Sequence, residues 1–160
     1  MSRIDDLIKE NLSDDGTVLS LREKYIGLRG TMELFTKGDV LKNVKVLTYS
    51  GNQIGDEGAE SIAECPYLTN LENLVLNLNE IGDEGAVALA NSPNLPKVTQ
   101  MSLFGNVIGD EGARAFADSP HSKKLIKLDL YKNQFSPAGI KALTESKNLK
   151  NCEELEIYRE

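Results

Sequence analysis

The stretch that decides the fold is LENLVLNLNEIGDEGA, residues 71–86, because the chain repeats it. Three copies align with it without a gap at a constant step of 27 residues: VKVLTYSGNQIGDEGA at 44–59, VTQMSLFGNVIGDEGA at 98–113 and LIKLDLYKNQFSPAGI at 125–140. A looser unit precedes them around Leu19 and Leu21, and a truncated one follows through Leu155 and Ile157. Such a period indicates a solenoid, in which each unit buries its apolar face against its neighbours.

The hydrophobic period changes within each unit. Leu74 and Leu76 alternate with polar neighbours, which predicts a strand that is buried on one face. Asn79 follows where the chain has to turn, and its amide group can hydrogen-bond backbone groups there. The apolar residues beyond it recur every three or four positions, which predicts a short helix. We expect Asp83 to be the N-cap of that helix and the Ser92-Pro93 pair to end it.

Applied to every unit, the pattern predicts alternating strands and helices in a single domain. The strands are expected near residues 18–22, 46–50, 73–77, 100–104, 127–131 and 154–158. The helices between them are expected near residues 29–37, 57–65, 84–92, 111–119 and 137–145. Ser2 opens an amphipathic helix, so we interpret residues 1–15 as an N-terminal capping helix and 16–160 as the solenoid. No matching cap is expected at the other end.

The motif apolar-x-x-Leu-x-Leu-x-x-Asn is the leucine-rich-repeat signature. With its three Gly-Asp-Glu-Gly-Ala copies, the region 16–160 resembles the ribonuclease-inhibitor-like leucine-rich-repeat subtype, which includes Ran GTPase-activating proteins and many bacterial repeat proteins. The 27-residue repeat is slightly short for that subtype. The resemblance implies an α/β fold: a right-handed β-α superhelix with a parallel concave sheet of about six strands and convex helices. It also implies a structural ladder of asparagines, formed by Asn52, Asn79, Asn106 and Asn133.

Composition narrows the classes of partner. The formal net charge is −7, with 25 acidic and 18 basic residues, so general nucleic-acid binding is not expected. No apolar stretch approaches the roughly 20 residues of a membrane-spanning helix, and the acidic N-terminus is unlike a secretory signal. We therefore expect no membrane partner. A cytoplasmic location follows as the simplest interpretation, with secretion as a signal-less effector as the alternative.

Several residues that could carry chemistry are better explained structurally. Acidic pairs recur at the helix starts, but helix capping explains them better than a cation site, because hard cations need several converging oxygens. Cys152 aligns with buried apolar residues and is expected in the core, whereas Cys65 aligns with Ser92 and Ser119 at a helix end and is expected to be partly exposed. His121, the only histidine, lies in a connecting loop without a nucleophile motif. We predict no catalytic residue, no metal site and no cofactor.

Functional information is expected where the repeats differ, on the outward positions of the strands. The position after the second leucine is aromatic in the last three units, and we name Phe104, Tyr131 and Tyr158 the aromatic column. Strand aromatics stack readily in any sheet, but an apolar ring on an uncovered face also marks an interaction site. The neighbouring outward positions and flanking charges complete the candidate site: Ser102, Asp129, Glu156, Lys132, Lys127, Glu154 and Arg159.

These residues predict a non-enzymatic module that binds a protein or peptide partner on its concave sheet face. One alternative is regulation of a small GTPase, by analogy with the Ran GTPase-activating relatives, with Arg22, Arg29 or Arg114 supplying charge in trans. A second alternative is self-assembly, including a homodimer through the C-terminal edge strand at Leu155 and Ile157.

Overall fold

The computed structural model describes residues 1–158, and across them six strands form one sheet in chain order. All five pairings are parallel. The strands are β1 Val18–Ser20, β2 Val46–Thr48, β3 Asn73–Val75, β4 Gln100–Ser102, β5 Lys127–Asp129 and β6 Glu154–Glu156. The predicted α/β solenoid with a parallel sheet is confirmed.

One or two helices follow each strand from β1 to β5. The α-helices are α1 Arg3–Asn11, α2 Gly27–Leu34, α3 Gly38–Leu41, α4 Gly55–Glu64, α5 Asp83–Ala90, α6 Asp110–Asp118 and α7 Pro137–Thr144. The repeat pattern predicts all of them except α3, which occupies the longer first unit. A 3₁₀ helix at Pro120–Lys124 also stands where a plain loop was expected, and it contains His121.

The strands are shorter than the predicted five residues. Each has three, because the chain begins to turn after the second outward position. Backbone bonding nevertheless continues past the strand ends: Leu103 N donates to Asp129 O at 2.8 Å and Gly105 N donates to Tyr131 O at 3.0 Å. The positions of the aromatic column therefore keep the register of the sheet while lying at its rim.

The core lies between the sheet and the helix layer. Two residues of each unit point into this core: the middle residue of the strand and the residue that follows the strand. In the four units after the first, these pairs are Leu47 and Tyr49, Leu74 and Leu76, Met101 and Leu103, and Leu128 and Leu130. Small alanines on the helices, such as Ala86 and Ala113, are fully buried and let the helices approach the strands closely. Full burial of a leucine contributes roughly 1.5–3 kcal/mol, so this double column is a large part of the apolar burial of each repeat.

The four repeated asparagines connect each unit to the one before it. Asn79 Oδ1 accepts from Asn52 N at 2.8 Å, and Asn79 Nδ2 donates to Tyr49 O at 2.9 Å. Asn106 bonds the unit that precedes it in the same way: its Oδ1 accepts from Asn79 N at 2.9 Å and from Ile81 N at 3.0 Å. Where the chain turns out of the sheet, its backbone N–H and C=O groups no longer face a neighbouring strand, and the asparagine side chains provide hydrogen-bond partners for them instead.

The repeated aspartates connect each unit to the one after it, so the predicted N-cap role of Asp83 is wrong. Gly82 is the N-cap of α5, and Asp83 is its first helical residue. Asp83 Oδ1 instead accepts from Gly109 N and Gly112 N, both at 2.8 Å, at the start of α6. A Cβ on Gly112 would lie 2.9 Å from that oxygen, so glycine is required for the approach.

The same arrangement recurs at the neighbouring units. Asp56 Oδ1 accepts from Gly82 N and Gly85 N at 2.8 Å each, and Asp110 accepts from Ser136 N at 2.9 Å and from the Ser136 hydroxyl. The hydrogen bonds from Ser136 hold the pKa of the Asp110 carboxyl below its usual range. Helix capping does explain the aspartates of the acidic pairs, but each of them caps the helix of the following repeat.

A third connection lies at the helix ends and corrects both cysteine predictions. Ser119 Oγ donates to Ala90 O of the preceding helix at 2.6 Å. The aligned Cys65 is buried and its Sγ lies 3.5 Å from Phe35 O, so it is not partly exposed. Cys152 is half-buried rather than in the core, because its unit is followed by no further helix among the described residues. Burial raises the pKa of both thiols.

Helix α1 lies against the first unit. Ser2 and Asp5 form a capping box, and Ile4 is buried in the common core. Lys37 Nζ lies 2.7 Å from Asp5 Oδ1, which fixes α1 to the turn after α2. The hydrogen bonds from Lys37 and Ser2 lower the pKa of Asp5 to about 2.

Candidate partner-binding site

The outward side chains of the strands leave one face of the sheet accessible. Along β3, β4 and β5 the middle residue is buried while its two neighbours remain at least partly accessible. The aromatic column lies at the end of this face, two residues past the last residue of β4, β5 and β6. The structure therefore places these rings on the rim of the sheet, beside the turns, and not in its middle.

Phe104 and Tyr131 form one aromatic pair. Their ring centroids are 5.7 Å apart and their planes are tilted by 43°. Lys132 Nζ lies 5.9 Å from the centroid of Phe104, within the range of a cation–π contact. Both rings are half-buried. The expectation that Phe104 is openly exposed is therefore wrong, because Tyr131 and Lys132 cover part of its surface.

Polar side chains fix the backbone beneath the pair. Tyr131 N donates to Asp129 Oδ1 at 3.0 Å, which orients the start of the turn. Asn77 Oδ1 accepts from Ser102 Oγ at 2.6 Å and from Phe104 N at 3.0 Å. Asn77 is aligned with the aromatic residues Phe104 and Tyr131 of the next two units. Its own side chain holds the backbone of Phe104, the aligned residue in the following unit. Sequence reasoning gave it no role, since contact across the repeat is not visible in one unit.

The charged members of the site lie towards β6. Lys127 Nζ contacts Glu154 Oε2 at 3.0 Å, and this contact raises the pKa of Lys127. Glu156 lies on the same outward column as Asp129, its register partner on β5. Tyr158 is 58% exposed at the end of the described residues. Arg159, a predicted flanking cation, lies outside them.

Two depressions mark the accessible face. The first, of about 240 Å³, is lined by Asn73, Val75, Gln100, Met101, Ser102, Lys127 and Asp129. The second, of about 200 Å³, is lined by Arg22, Thr48, Ser50, Val75, Asn77, Leu78 and Phe104. Val75 borders both depressions. The second extends the accessible surface to Thr48 and Ser50 on the N-terminal half of the sheet.

Leu78 is a site residue that sequence reasoning missed. It is 50% exposed, and its φ of 57° places it in the left-handed region. The aligned positions 51 and 105 carry glycine, with φ of 69° at both. A leucine in that conformation costs roughly 1–2 kcal/mol of backbone strain. The available signal was an apolar leucine at a turn position that carries glycine in two other copies and Lys132, also with a φ of 57°, in the fourth.

The remaining candidates lie apart from this face. His121 is exposed in the 3₁₀ helix, Arg29 is on α2 and Arg114 is on α6, whereas Arg22 follows β1 at the edge of the second depression. Among residues 1–158, no cluster of three or more metal-ligating side chains is present. No helix in the same range is long and apolar enough to cross a membrane.

Comparison with known proteins gives two positive findings. The family model described as "Leucine Rich repeat" matches residues 41–63, 67–90, 94–117 and 121–143, which is more than half of the chain. The solved structure of the tropomodulin C-terminal domain from Caenorhabditis elegans is similar, with a TM-score of 0.67 and 15% sequence identity over 94% of this chain and 93% of that one. At that identity the likeness concerns the fold alone. No curated protein matches the chain by sequence.

Proposed function

This chain belongs to the leucine-rich-repeat family, and we propose from that premise that it is a non-enzymatic module that holds a protein or peptide partner on its open sheet face. Leucine-rich repeats are in general protein-interaction modules, and a solenoid offers one extended surface for that purpose. Fold alone does not assign a partner, so the proposal depends on the particular residues of this face.

The observation that carries the proposal is the Phe104–Tyr131 pair with Lys132 beside it. Aromatic rings with a charged rim are the usual composition of a binding hot spot. The pair is pre-organised, since the hydrogen bonds at Asp129 and Asn77 hold the backbone on which both rings stand. A rigid aromatic surface loses little conformational entropy when a partner covers it.

The other explanation for this pair is that neighbouring strand aromatics simply stack for stability. Two features favour binding over that alternative. Both rings keep accessible surface on a face that the alternating strands leave open. The half-exposed Leu78 adjoins Phe104 in one depression, which extends the apolar surface beyond the pair.

We also propose a reducing, cytoplasmic location for the module. Both cysteines are free, and Cys65 takes part in the helix-end connection as a thiol. An oxidising compartment would offer these thiols no intramolecular partner, because one is buried near the first unit and the other lies at the last strand.

The test compares the proteins that the parent chain and two variants retain from a native lysate. Tyr131→Ala is expected to lose a specific partner, because truncation of a hot-spot residue costs about 2 kcal/mol or more, roughly a thirtyfold loss of affinity. Tyr25→Ala is the matched control, since Tyr25 is 74% exposed in the first turn, away from the pair. Melting curves verify that both variants fold. Identical retained sets for parent and Tyr131→Ala would refute the site assignment.

A further inference from the structure

The second depression owes its shape to a size pattern across the strands. The column that holds Phe104 begins with Arg22 and passes through Ser50 and Asn77. Two long side chains therefore stand at its ends with two short ones between them, and Ser50 is only 6% exposed at the bottom. Neighbouring strands are about 4.8 Å apart, so the large residues stand roughly three spacings from each other. The result is a hollow of about 200 Å³.

The two ends of this hollow differ in chemistry. Val75, Leu78 and Phe104 form an apolar wall on one side. Arg22 stands on the other, where its Nε lies 3.4 Å from Glu23 Oε1 and both side chains are exposed. Within residues 1–158 the two terminal guanidinium nitrogens of Arg22 make no hydrogen bond, which leaves the planar end of the group open to a ligand.

The polar groups between those ends are donors. Asn77 Oδ1 accepts from Ser102 and Phe104, so the amide nitrogen is the polar atom of this side chain that is left for a ligand. Across the described residues that nitrogen has no acceptor, and Thr48, which carries a hydroxyl, lines the same hollow. A guanidinium, an amide N–H and a hydroxyl together match a carboxylate, because an arginine fork binds carboxylate oxygens in two parallel bonds.

Leu78 places an exposed apolar group beside the hollow. Half of its side chain remains in water, whereas its left-handed φ is shared by Glu23 and Lys132 at the equivalent positions and belongs to the repeated turn. A Cβ on Gly105 would lie 2.5 Å from Leu78 Cδ2, so the side chain lies across the next turn and reaches the rim of the hollow. The cost of leaving this apolar side chain in water disappears when an apolar group covers it in a complex.

We propose that the hollow is a subsite for a partner segment in which an aliphatic side chain stands next to an aspartate or glutamate. The aliphatic group contacts Leu78 and Phe104, and the acidic side chain receives the guanidinium of Arg22. The volume equals that of about seven waters at ~30 Å³ each, which is enough for one aliphatic side chain with a carboxylate beside it. This subsite rests on the proposed function, because it refines what the open sheet face holds.

The experiment selects binders from random twelve-residue peptides displayed inside a phage coat protein, so that no peptide ends in a free carboxylate. Parent protein is expected to enrich Asp or Glu adjacent to Leu, Ile or Met. Arg22→Gln is expected to weaken the selected peptides about tenfold, as the loss of a charge-assisted contact predicts, and to abolish the acidic preference. Leu78→Gly is expected to abolish the aliphatic preference. Arg29→Gln, an exposed arginine on α2, is the matched control and is expected to change neither.

The outcomes separate this proposal from the broader one. Enriched peptides without an acidic residue, or peptides that bind Arg22→Gln as tightly as the parent, overturn the subsite. So do a selection that yields no binder and a requirement for a free C-terminal carboxylate in synthetic versions. If the selected peptides depend on Tyr131 but not on Arg22 or Leu78, the subsite fails while the proposed function stands. Dependence on none of these residues contradicts both.

Discussion

Asp83→Ala tests whether each repeat caps the helix of the next one. The substitution removes the oxygen that accepts from Gly109 N and Gly112 N at 2.8 Å each. Loss of an N-cap acceptor costs typically ~1 kcal/mol, and loss of a negative charge at a helix start adds roughly 0.3–1 kcal/mol. Alanine recovers up to about 0.7 kcal/mol as a better helix former at the start of α5. The expected net loss in the free energy of unfolding is therefore about 1 kcal/mol.

Two measurements locate the effect. Urea denaturation gives the free energy of unfolding for the parent, for Asp83→Ala and for the control Glu84→Ala. Glu84 is the next residue in the same first turn, and it is exposed. Its removal is expected to change stability by less than about 0.5 kcal/mol. Asp83→Asn, which keeps an oxygen acceptor without the charge, is expected to fall between the two.

Amide hydrogen exchange then identifies the helix that is affected. Because Gly109 N and Gly112 N bond the Asp83 carboxylate, their exchange is expected to accelerate by roughly five- to tenfold in Asp83→Ala, the equivalent of about 1 kcal/mol. The amides of α5 itself are expected to keep their rates relative to the rest of the chain. Faster exchange confined to α5, or a loss of stability no greater than that of Glu84→Ala, would refute capping across the repeat boundary.

Three further predictions follow from the connections and the strain already described. Asn79→Ala leaves the buried Asn52 N–H without an acceptor and removes one of the two amide donors of Tyr49 O, so it is expected to lower the free energy of unfolding by about 2 kcal/mol in urea melts; a loss below ~1 kcal/mol contradicts the ladder. Leu78→Gly removes the strain of a left-handed leucine from the folded state, but glycine also raises the conformational entropy of the unfolded chain. Urea melts are therefore expected to show a free energy of unfolding that is unchanged or raised by up to ~1 kcal/mol; a clear loss would mean that the packing of the Leu78 side chain stabilises the fold. In carbon-detected NMR titrations the pKa of Asp5 is expected at about 2 and nearer 3.8 in Lys37→Met. Since the folded-state pKa is depressed, the stabilisation by Asp5 is complete above its ordinary value and disappears as the pH falls towards 2; an unchanged pKa in the variant would contradict the ion pair.

The sequence predicted what repetition determines. The step of 27 residues predicts the register in which Leu47, Leu74 and Met101 stand side by side, because equivalent positions stack in a solenoid. The asparagine positions follow for the same reason. The direction in which Asp83 points could not be predicted, since one unit viewed alone offers its own helix start as the nearest donors. Only the stacked structure shows that the missing Cβ of Gly112 opens the neighbouring helix start to the same oxygen.

The candidate site was harder to predict than the fold. Its rings could be placed on outward positions, but their half-burial depends on the rotamers of Tyr131 and Lys132, which no periodicity determines. The hollow beside Phe104 arises from side-chain sizes on four consecutive strands. Leu78 was missed for a related reason, because its left-handed φ is set by the turn and not by its own residue type.

The three connections also explain why binding can vary without damage to the fold. Asparagines bond the preceding unit, aspartates bond the following unit, and the helix-end hydroxyls and thiol bond the preceding helix. These groups satisfy most of the turns and the helix ends, and among the outward residues Asn77 and Asp129 add bonds to backbone N–H groups. Substitution of Tyr131 removes its ring contact with Phe104 of the preceding unit but none of these three kinds of connection. A repeat protein built in this way separates the residues that connect its units from those that we propose contact a partner, which lie where its copies differ.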